Sequence, residues 1–476
     1  MERKIRKAAV IGSGVMGAGI AAHLANVGIS TLLLDIVPRE ITPDLAKKGV
    51  KEARSSIAQS ALDRMLKTKP APLFTKASSQ HIVVGNIEDD LGKVSEVDWI
   101  IEVVVENLQV KRALFEKIEQ YWKPGTVVSS NTSGVSINAM IEGRTDAFRS
   151  HFLGTHFFNP PRYMKLLEII PANDTSLEIV QQMVSFSESI LGKGVVIAKD
   201  TPNFIANRIG VHGLLATIDV MKEHGLTPDE VDSVTGPALG RPRSATFRTL
   251  DMVGLDTFVH VANNVYDNVN DDEEKLRFIV PEFLKNMVSN GWIGEKSGQG
   301  FYKKVKSDIF TLQYETMDYE PKRKLREPSL EATKTAKDVE SRVRTLVYSD
   351  DKAGKLAWEI VKKTLLYTAS KVPEIADDIV SIDQAMKWGF NWDLGPFELW
   401  DAIGVKKSVE RMKAEGETIP VFVRQLLESG KSRFYEKTVD HKQFYTVSGL
   451  YDTKEQHPKI INLQDLKERN RVIKSN

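Results

Sequence analysis

Four polar side chains in the first half of the sequence are of the types that the oxidation of an alcohol needs. His156 precedes Glu168 by twelve residues, and Glu168 is enclosed by the apolar residues of 166–170. A histidine can act as a base near neutral pH, and a carboxylate on its far nitrogen fixes the tautomer and stabilises the imidazolium. Ser133 and Asn207 add a hydroxyl and an amide donor. Each also has a structural interpretation (a buried histidine, a salt bridge, a helix cap, a hydrogen bond between domains), but their joint occurrence favours catalysis.

A glycine-rich turn near the start of the chain predicts a dinucleotide site. The apolar run 7–11 is typical of a buried strand, and helical spacing follows it. Gly12 permits the tight turn, Gly14 lets the backbone approach a pyrophosphate, and Gly17 lets helix and strand pack closely. Asp35 ends the next strand, where a carboxylate accepts both ribose hydroxyls and repels a 2′-phosphate, which favours NAD over NADP. The predicted cofactor-binding residues of the turn are Gly12, Ser13, Gly14, Val15, Met16 and Gly17.

Strands and helices alternate through the first two hundred residues, which predicts a doubly wound parallel sheet of the Rossmann type. This NAD-binding domain is expected at 1–199, with a helical insertion at 36–80. Because ligands bind at the carboxyl edge of such a sheet, Ser133 lies where chemistry is expected. The predicted strands after the insertion are 81–84, 99–101 with 103–105, 126–128, 151–152, 166–170 and 195–197.

Helical patterns dominate the rest of the chain and recur. Thr201 and Pro202 are typical of an N-cap followed by an N1 proline, which predicts a helix from there to about Glu223. The series Phe247, Leu250, Asp251, Gly254 recurs at an offset of 150, and later matches recur at smaller offsets. We therefore predict an all-α C-terminal region with two repeated helical domains. The segments are a first helical domain at 200–302, a surface linker at 303–349, and a second repeat with a tail at 350–476.

Composition narrows the function classes. The chain has 65 Lys and Arg against 64 Asp and Glu, a formal net charge of +1, which argues against nucleic-acid binding. It has no cysteine, which excludes a thiolate metal site and fits a reducing compartment. No stretch is apolar and long enough to span a membrane, and the glycine turn explains the apolar start better than a signal peptide does. We expect a cytoplasmic protein without a metal.

The sequence resembles the L-3-hydroxyacyl-CoA dehydrogenases of fatty-acid β-oxidation over about residues 5–302, and more weakly over 350–440. The matching stretches are 12–17, 105–107, 130–133, 156–168, 200–208 and 298–302. The resemblance implies NAD-dependent oxidation of L-3-hydroxyacyl-CoA to 3-ketoacyl-CoA. It makes His156 the general base and Glu168 its partner, with Ser133 and Asn207 holding the substrate oxygen. It also implies that the NAD site is lined by the glycine turn together with Asp35, Glu106, Lys111 and Asn131.

The resemblance carries further expectations about partners and substrate. It is closest to dehydrogenases that are often fused to an enoyl-CoA hydratase, so a fused hydratase is expected beyond Asn476. The internal repeat implies either a monomer that is an internal pseudo-dimer or a homodimer. The sequence departs from the family pattern at Asn203, at 161–162 and at 243–246, and these departures bear on the acyl-chain preference rather than on the reaction. Two alternatives stay open: a dehydrogenase of a small 3-hydroxy acid without CoA, and an inactive nucleotide-binding sensor.

Overall fold

The computed structural model describes residues 4–47, 49–438 and 442–453. These residues divide into two compact units on either side of the bond between Phe204 and Ile205. The boundary lies later than the predicted one because the second unit's first helix begins at Ala206 and not after Thr201. Asn203 and Phe204 have positive φ angles of 61° and 56°, which no right-handed helix contains. The predicted N-cap and N1 proline at 201–202 are therefore wrong.

One eight-stranded sheet organises the described part of the first unit. Its strand order is β3-β2-β1-β4-β5-β6-β7-β8, the order of a Rossmann sheet with additional strands at one edge. The first six strands are parallel, whereas β7 is antiparallel to β6 and β8 is parallel to β7. The strands are β1 (Lys7–Ile11), β2 (Ser30–Asp35), β3 (Ile82–Asn86), β4 (Trp99–Glu102), β5 (Val127–Ser130), β6 (Phe152–Phe157), β7 (Leu166–Pro171) and β8 (Gly194–Ile197).

The prediction of a wholly parallel sheet is wrong at β7. Only residues 158–165 connect β6 to β7, and a parallel crossover needs a dozen residues or more. The short connection therefore forces the chain to reverse. The predicted strand at 103–105 is also absent, because β4 ends at Glu102 and the side chain of Glu102 accepts a hydrogen bond from Val104 N at 2.7 Å.

Helices cover the sheet of the first unit, and the 36–80 insertion is helical as predicted. The buried core joins the sheet to the first helix through residues such as Val10, Ile20 and Leu33. The helices are α1 (Val15–Asn26), α2 (Pro43–Ala46), α3 (Val50–Arg54), α4 (Ser56–Met65), α5 (Ile87–Asp90), α6 (Leu108–Glu119), α7 (Ile137–Met140), α8 (Asp146–Arg149) and α9 (Leu177–Ser189), with 3-10 turns at Lys76–His81 and Leu91–Glu96.

In the residues that the structure describes, the second unit is mainly helical but carries two small antiparallel sheets, so the prediction of an all-α region is wrong. The helices are α10 (Ala206–Glu223), α11 (Pro228–Thr235), α12 (Phe247–Val253), α13 (Leu255–Asn268), α14 (Asp272–Leu276), α15 (Glu282–Ser289), α16 (Pro328–Lys334), α17 (Val339–Val347), α18 (Lys352–Ser370), α19 (Ile379–Gly389), α20 (Pro396–Ile403), α21 (Val405–Ala414) and α22 (Val421–Glu428), with a 3-10 turn at Pro237–Leu239. The sheets are β9 (Tyr302–Val305), β10 (Asp308–Gln313) and β11 (Asp318–Pro321), then β12 (Tyr435–Lys437), β13 (Lys442–Tyr445) and β14 (Tyr451–Thr453).

The segment predicted as a linker, 303–349, is folded. It contains most of the first small sheet together with α16 and α17. Leu312, Val343 and Leu346 are fully buried. The strands escaped prediction because the outer ones expose most of their residues, so little hydrophobic alternation is present for a sequence pattern to detect.

Two aspartates of the second unit make matching contacts about 150 residues apart. Asp251 accepts hydrogen bonds from the backbone N–H groups of the Phe-Tyr pair at 301–302, at 2.8 and 2.9 Å. Asp401 accepts the same two bonds, at the same distances, from the Phe-Tyr pair at 434–435. Burial raises the pKa of each aspartate to about 6. Each carboxylate thus ties the end of a helix to the first strand of a small sheet.

Candidate active site

The turn between β1 and α1 needs glycine at two positions and leaves a third position open. Gly12 has φ +107°, and an added Cβ there would lie 2.4 Å from the carbonyl oxygen of Val103. A Cβ on Gly17 would lie 1.8 Å from the Gly12 oxygen. A Cβ on Gly14 would meet nothing within 4 Å, and Gly14 is the N-cap of α1 without a side-chain cap. The first turn of α1 therefore presents backbone N–H groups to open space, which fits a pyrophosphate.

Asp35, at the end of β2, is hydrogen-bonded to the glycine turn. Its Oδ2 accepts from Ser13 N at 2.6 Å and from Ser13 Oγ at 2.5 Å, while Oδ1 accepts from Ile36 N at 2.7 Å. Ser13 is buried, Val15 is 75% exposed, and Met16 is half-buried. The structure thus brings the predicted ribose carboxylate and the predicted phosphate turn together. The Ser13–Asp35 contact was not predicted, because the motif does not specify the residue between its first two glycines.

Lys111 forms ion pairs with two glutamates, Glu102 at the end of β4 and Glu106 just after it. Lys111 Nζ lies 2.8 Å from Glu102 Oε1 and 3.2 Å from Glu106 Oε2. Lys111 is 1% exposed and Glu102 is fully buried, so each charge depends on the other for compensation. The structure therefore places Lys111 beneath the predicted cofactor site, as a support for Glu106, and not on its surface. Glu102 was missed, although an acid that ends the apolar strand β4 was a usable signal.

Glu106 holds the turn that carries Ser133. Its Oε1 accepts from Thr132 Oγ1 at 2.5 Å and from Ser133 N at 2.8 Å. Burial opposes the ionisation of Glu106, but the charge of Lys111 and these donors outweigh it and lower the pKa of Glu106. A charged carboxylate at this place therefore fixes the backbone of Ser133.

The ends of neighbouring strands are tied together at this edge of the sheet. Asn131 Oδ1 accepts from Phe157 N at 2.9 Å, which links the residue after β5 to the end of β6. Ser130 Oγ donates to Glu102 Oε2 at 2.5 Å. Asn131 is half-buried, and its backbone N–H donates to the carbonyl of Glu102 at 2.8 Å. The predicted residues Asn131 and Ser133 therefore belong to one hydrogen-bonded edge.

His156 and Glu168 form the predicted pair. They are direct register partners of β6 and β7, and Nδ1 of the histidine lies 2.7 Å from Oε2 of the glutamate. His156 is 4% exposed and Glu168 is fully buried. The rings of Phe158 and Phe204 lie 4.4 and 5.7 Å from the imidazole centroid. With Nδ1–H donated to the carboxylate, Nε2 is the nitrogen left to accept a proton.

Asn207 lies in the second unit, as the second residue of α10, and is half-buried. Its neighbour Arg208 is 1% exposed and belongs to a buried network. Arg208 contacts Glu274 Oε1 at 2.8 Å, Glu374 Oε1 at 3.1 Å and the hydroxyl of Tyr367 at 2.7 Å. These adjacent residues therefore have different roles. Arg208 stabilises the helical unit, whereas the side chain of Asn207 is partly exposed.

Asp200 is a further residue whose contacts were not predicted. Its carboxylate accepts from Ser136 Oγ at 2.8 Å and from the backbone N–H groups of Ile137 and Asn138 at 2.8 and 3.0 Å. It therefore caps α7, directly after the turn that carries Ser133. Its place within the resembling stretch 200–208 was the only available signal.

No group of three or more His, Cys, Asp and Glu residues in the described part of the chain is arranged to hold a metal ion. No helix there is long and apolar enough to cross a membrane.

Three features lie on one sheet: a glycine turn with an open first helical turn, a carboxylate at the end of β2, and a buried His–Glu pair. Together they are typical of a dinucleotide-dependent dehydrogenase. Comparison with known families agrees with this class. The 3-hydroxyacyl-CoA dehydrogenase NAD binding domain matches residues 7–201, and the 3-hydroxyacyl-CoA dehydrogenase C-terminal domain matches residues 204–304. The chain belongs to the 3-hydroxyacyl-CoA dehydrogenase family, and the NAD-binding domain of that family is its first unit.

Individual relatives agree with the family. The chain is 54% identical over 480 residues to the "Probable 3-hydroxyacyl-CoA dehydrogenase" of Bacillus subtilis, covering all of this chain and 61% of that protein. It is 50% identical over 313 residues to the protein of the same name from Deinococcus radiodurans, covering 66% of this chain and 87% of that one. A crystal structure of 3-hydroxybutyryl-CoA dehydrogenase from Escherichia coli K12 has a TM-score of 0.65 at 23% identity, covering 90% of this chain and 100% of that chain, which shows a shared fold.

Proposed function

We propose that this chain catalyses the reversible, NAD-dependent oxidation of L-3-hydroxyacyl-CoA to 3-ketoacyl-CoA. The observation that carries the proposal is the buried contact of 2.7 Å between His156 Nδ1 and Glu168 Oε2, on the same sheet as the glycine turn. NAD, when bound, accepts a hydride from C3 of the substrate. The residues that fit its pyrophosphate and ribose are the open first turn of α1 and Asp35.

His156 removes the proton of the 3-hydroxyl group at Nε2. Glu168 accepts the hydrogen bond from Nδ1–H, which holds the ring in the tautomer with a basic Nε2. When the imidazolium forms, the buried carboxylate opposite it supplies the compensating charge. In the reverse direction the imidazolium returns the proton to the ketone oxygen, so one pair serves both directions.

Ser133 and Asn207 are proposed to hydrogen-bond the substrate oxygen. The backbone of Ser133 is fixed by the bond from its N–H to Glu106, so its hydroxyl sits on a turn with little freedom. Asn207 lies in the first turn of α10 with exposed surface available to a ligand. Glu106 and Asn131 are proposed to line the cofactor site, and Lys111 supports Glu106 from below.

The test is consumption of NADH by the purified protein with acetoacetyl-CoA, compared with free acetoacetate. Rapid consumption with the thioester alone supports the proposal, because the CoA part is then required. Consumption with free acetoacetate at the same rate would favour the small 3-hydroxy acid dehydrogenase. No consumption with any 3-ketoacyl-CoA, in protein that binds NADH, would overturn the proposal in favour of a nucleotide sensor.

We also infer that the second unit is a duplicated helical domain. The order α10, α11, α12, α13, α15 and β9–β11 is matched by α18, α19, α20, α21, α22 and β12–β14. The matching contacts of Asp251 and Asp401 support this correspondence. A second pair supports it too: Asp232 and Asp383 each accept a hydrogen bond from a tyrosine hydroxyl at 2.7 Å and from a phenylalanine N–H at 2.8 Å.

The second copy is proposed to be non-catalytic. At the offset of 150 residues seen in the sequence, the positions of Asn207 and Arg208 correspond to Ala357 and Trp358 of α18, and both of these are buried. α10 packs against α18 within this unit, so the copy supplies a contact that would otherwise need another subunit. We expect a monomer in analytical ultracentrifugation, and a stable dimer would contradict this role.

We also propose a cytoplasmic location and a fused partner domain. The absence of cysteine supports a cytoplasmic enzyme, which cell fractionation tests. The chain spans 61% of the length of its Bacillus subtilis relative. A fused enoyl-CoA hydratase domain beyond Asn476 is the partner that the resemblance implies, and the coding sequence past that residue tests it.

A further inference from the structure

Glu102 is a buried carboxylate that no step of the proposed reaction uses. It is fully buried at the end of β4. Its Oε1 accepts hydrogen bonds from Val104 N at 2.7 Å and from Lys111 Nζ at 2.8 Å. Its Oε2 accepts from Ser130 Oγ at 2.5 Å and from Lys111 Nζ at 3.0 Å. Both oxygens therefore face donors, and the position requires a group that accepts hydrogen bonds and donates none.

A series of hydrogen bonds leads from Glu102 through Ser130 to the turn that carries Ser133. The fully buried Ser130 hydroxyl donates to Glu102 and accepts from Thr132 N at 3.2 Å. A hydroxyl has one hydrogen to donate, so donation to the carboxylate leaves its lone pairs to accept from Thr132 N. Thr132 Oγ1 in turn accepts from Val135 N at 2.9 Å, beyond Ser133. The carboxylate therefore sets the direction of every hydrogen bond in this series.

Lys111 holds Glu102 at a fixed place relative to Glu106. Lys111 Nζ lies within hydrogen-bond distance of both oxygens of Glu102 and 3.2 Å from Glu106 Oε2. A buried cation between two carboxylates ties their positions together, because it cannot approach one without leaving the other. Glu106 accepts a hydrogen bond from Ser133 N at 2.8 Å. Segment 130–133 is therefore held at its start by Glu102 and at its end by Glu106.

The same segment is bonded on its other side to the strand of His156. Asn131 Oδ1 accepts a hydrogen bond at 2.9 Å from the N–H of Phe157, the residue after His156. A shift of segment 130–133 would therefore change the place of Ser133 relative to His156. Reacting groups need close alignment, and a misplacement of about 1 Å can lower a rate by about 100-fold. The residues that hold this segment consequently bear on the rate of the reaction.

We propose that Glu102 is a positioning residue for the reaction, which acts through Ser130 to set the place of the Ser133 hydroxyl. The inference rests on the proposed function, in which that hydroxyl binds the substrate oxygen. Glu102 is fully buried, so its effect on catalysis passes through its neighbours. An amide at this position would direct an N–H group at Lys111 whichever oxygen it replaced, because Lys111 donates to both oxygens. Glu102→Gln should therefore disturb the hydrogen bonds as well as remove a charge.

The test measures kcat for acetoacetyl-CoA at saturating NADH, well below the Tm of each variant. Ser130→Ala removes the link from Glu102 to the turn and leaves the ion pair with Lys111 in place. We expect its kcat to fall by about tenfold or more. Glu102→Gln should lower kcat at least as far, and where that variant does not fold, Ser130→Ala decides.

Ser129→Ala is the matched control, because it removes a buried hydroxyl from the same strand. The Ser129 hydroxyl contacts Trp99 Nε1 at 2.9 Å and Thr155 Oγ1 at 2.8 Å, and not the carboxylate of Glu102. Its loss should lower the free energy of unfolding but leave kcat within about twofold of the original. An equal loss of kcat in Ser129→Ala and Ser130→Ala would show a general effect of buried hydroxyl groups and would overturn the positioning role.

A second readout is the dependence of the effect on Ser133. Ser133→Ala should lower kcat by itself. Ser130→Ala added to it should lower kcat by less than about twofold more, because the group that Ser130 positions is then gone. A role in folding alone would change urea unfolding in both backgrounds without this dependence.

The outcomes separate this inference from the proposed function. If the unmodified protein reduces acetoacetyl-CoA, an unchanged kcat in Ser130→Ala overturns the positioning role alone. The same conclusion follows if Ser130→Ala lowers kcat by an equal factor with and without the Ser133 hydroxyl. If the unmodified protein reduces no 3-ketoacyl-CoA, the proposed function is overturned, and this inference with it.

Discussion

His156 Nδ1 lies 2.7 Å from Glu168 Oε2 across the antiparallel pairing of β6 and β7. The two residues are opposite one another in the strand register, so the backbone hydrogen bonds of the sheet set their separation. Neither side chain is more than 5% exposed. The pair is therefore prearranged before any ligand binds, which is what a proton-transfer group requires.

Replacing either member of the pair should reduce turnover. His156→Ala removes the base, and we expect kcat with acetoacetyl-CoA to fall by about 10²–10⁴-fold, while NADH binding by fluorescence titration changes little. Glu168→Gln should also be severe, because it removes the charge that stabilises the imidazolium. The double variant should lose little more than His156→Ala does, because the glutamate acts through the histidine. Near-normal turnover of His156→Ala would contradict the assignment.

Substitutions at two glycines of the turn should have different effects, one on cofactor binding and the other on folding stability. Gly14→Ala adds a methyl group to open space, so the free energy of unfolding should stay within about 1 kcal/mol of the original. NADH affinity should fall by about tenfold or more, because the methyl group occupies the place of the pyrophosphate. Gly17→Ala should instead destabilise the fold by about 1–3 kcal/mol, since its Cβ would lie 1.8 Å from the Gly12 oxygen. Urea unfolding and NADH titration of both variants test the contrast.

The charge of Lys111 should matter for stability. Lys111→Met leaves the fully buried Glu102 without its cation, and we expect a loss of about 3–5 kcal/mol in urea unfolding. Lys117→Met is the matched control, because Lys117 is an exposed lysine on the same helix; its effect should stay within about 0.5 kcal/mol. Equal effects of the two substitutions would show that the buried ion pair contributes nothing.

A second histidine should make the protein acid-sensitive. His212 is buried and stacks on Tyr367 with ring centroids 3.8 Å apart. Burial, reinforced by Arg277, lowers the pKa of His212 to about 3. Below about pH 6.5 the unfolded state therefore binds a proton that the native state does not bind. The free energy of unfolding is highest above this pH and falls as the pH is lowered.

His212→Phe keeps a stacking ring but removes this titration. Its loss of unfolding free energy between pH 7 and pH 5 should be smaller than that of the original protein by about 2 kcal/mol. Urea unfolding at the two pH values measures the difference. An identical pH dependence in both proteins would mean that His212 does not titrate differently in the folded and unfolded states.

The site was predictable where a residue type is rare in its surroundings. Glu168 is an acid inside an apolar strand, and the glycines of 12–17 are spaced as a dinucleotide turn requires, so both were recognised. Glu102 carries the same signal as Glu168 and could have been found. The bond between Ser13 and Asp35 carries no signal, because it depends on how the glycine turn and the end of β2 meet in space.

The fold was predictable where hydrophobic periodicity is strong. The first strands and α1 follow from apolar runs and glycine spacing. The reversal at β7 did not follow from periodicity, since a buried strand has the same pattern in either direction; only the short connection at 158–165 indicates it. The start of α10 was misplaced because Thr201 and Pro202 satisfy capping rules that the positive φ angles of 203–204 override.

The two hydrogen bonds from Ser13 to Asp35 bear on how coenzyme preference can evolve. Asp35 is the residue proposed to discriminate against a phosphorylated ribose, and its carboxylate also anchors the turn proposed to receive the pyrophosphate. A single substitution of Asp35 that permits NADP binding would also remove the two hydrogen bonds that Ser13 donates to it. A change of coenzyme preference in this protein therefore requires a compensating residue near Ser13. A variant changed at position 35 alone would bind either coenzyme weakly.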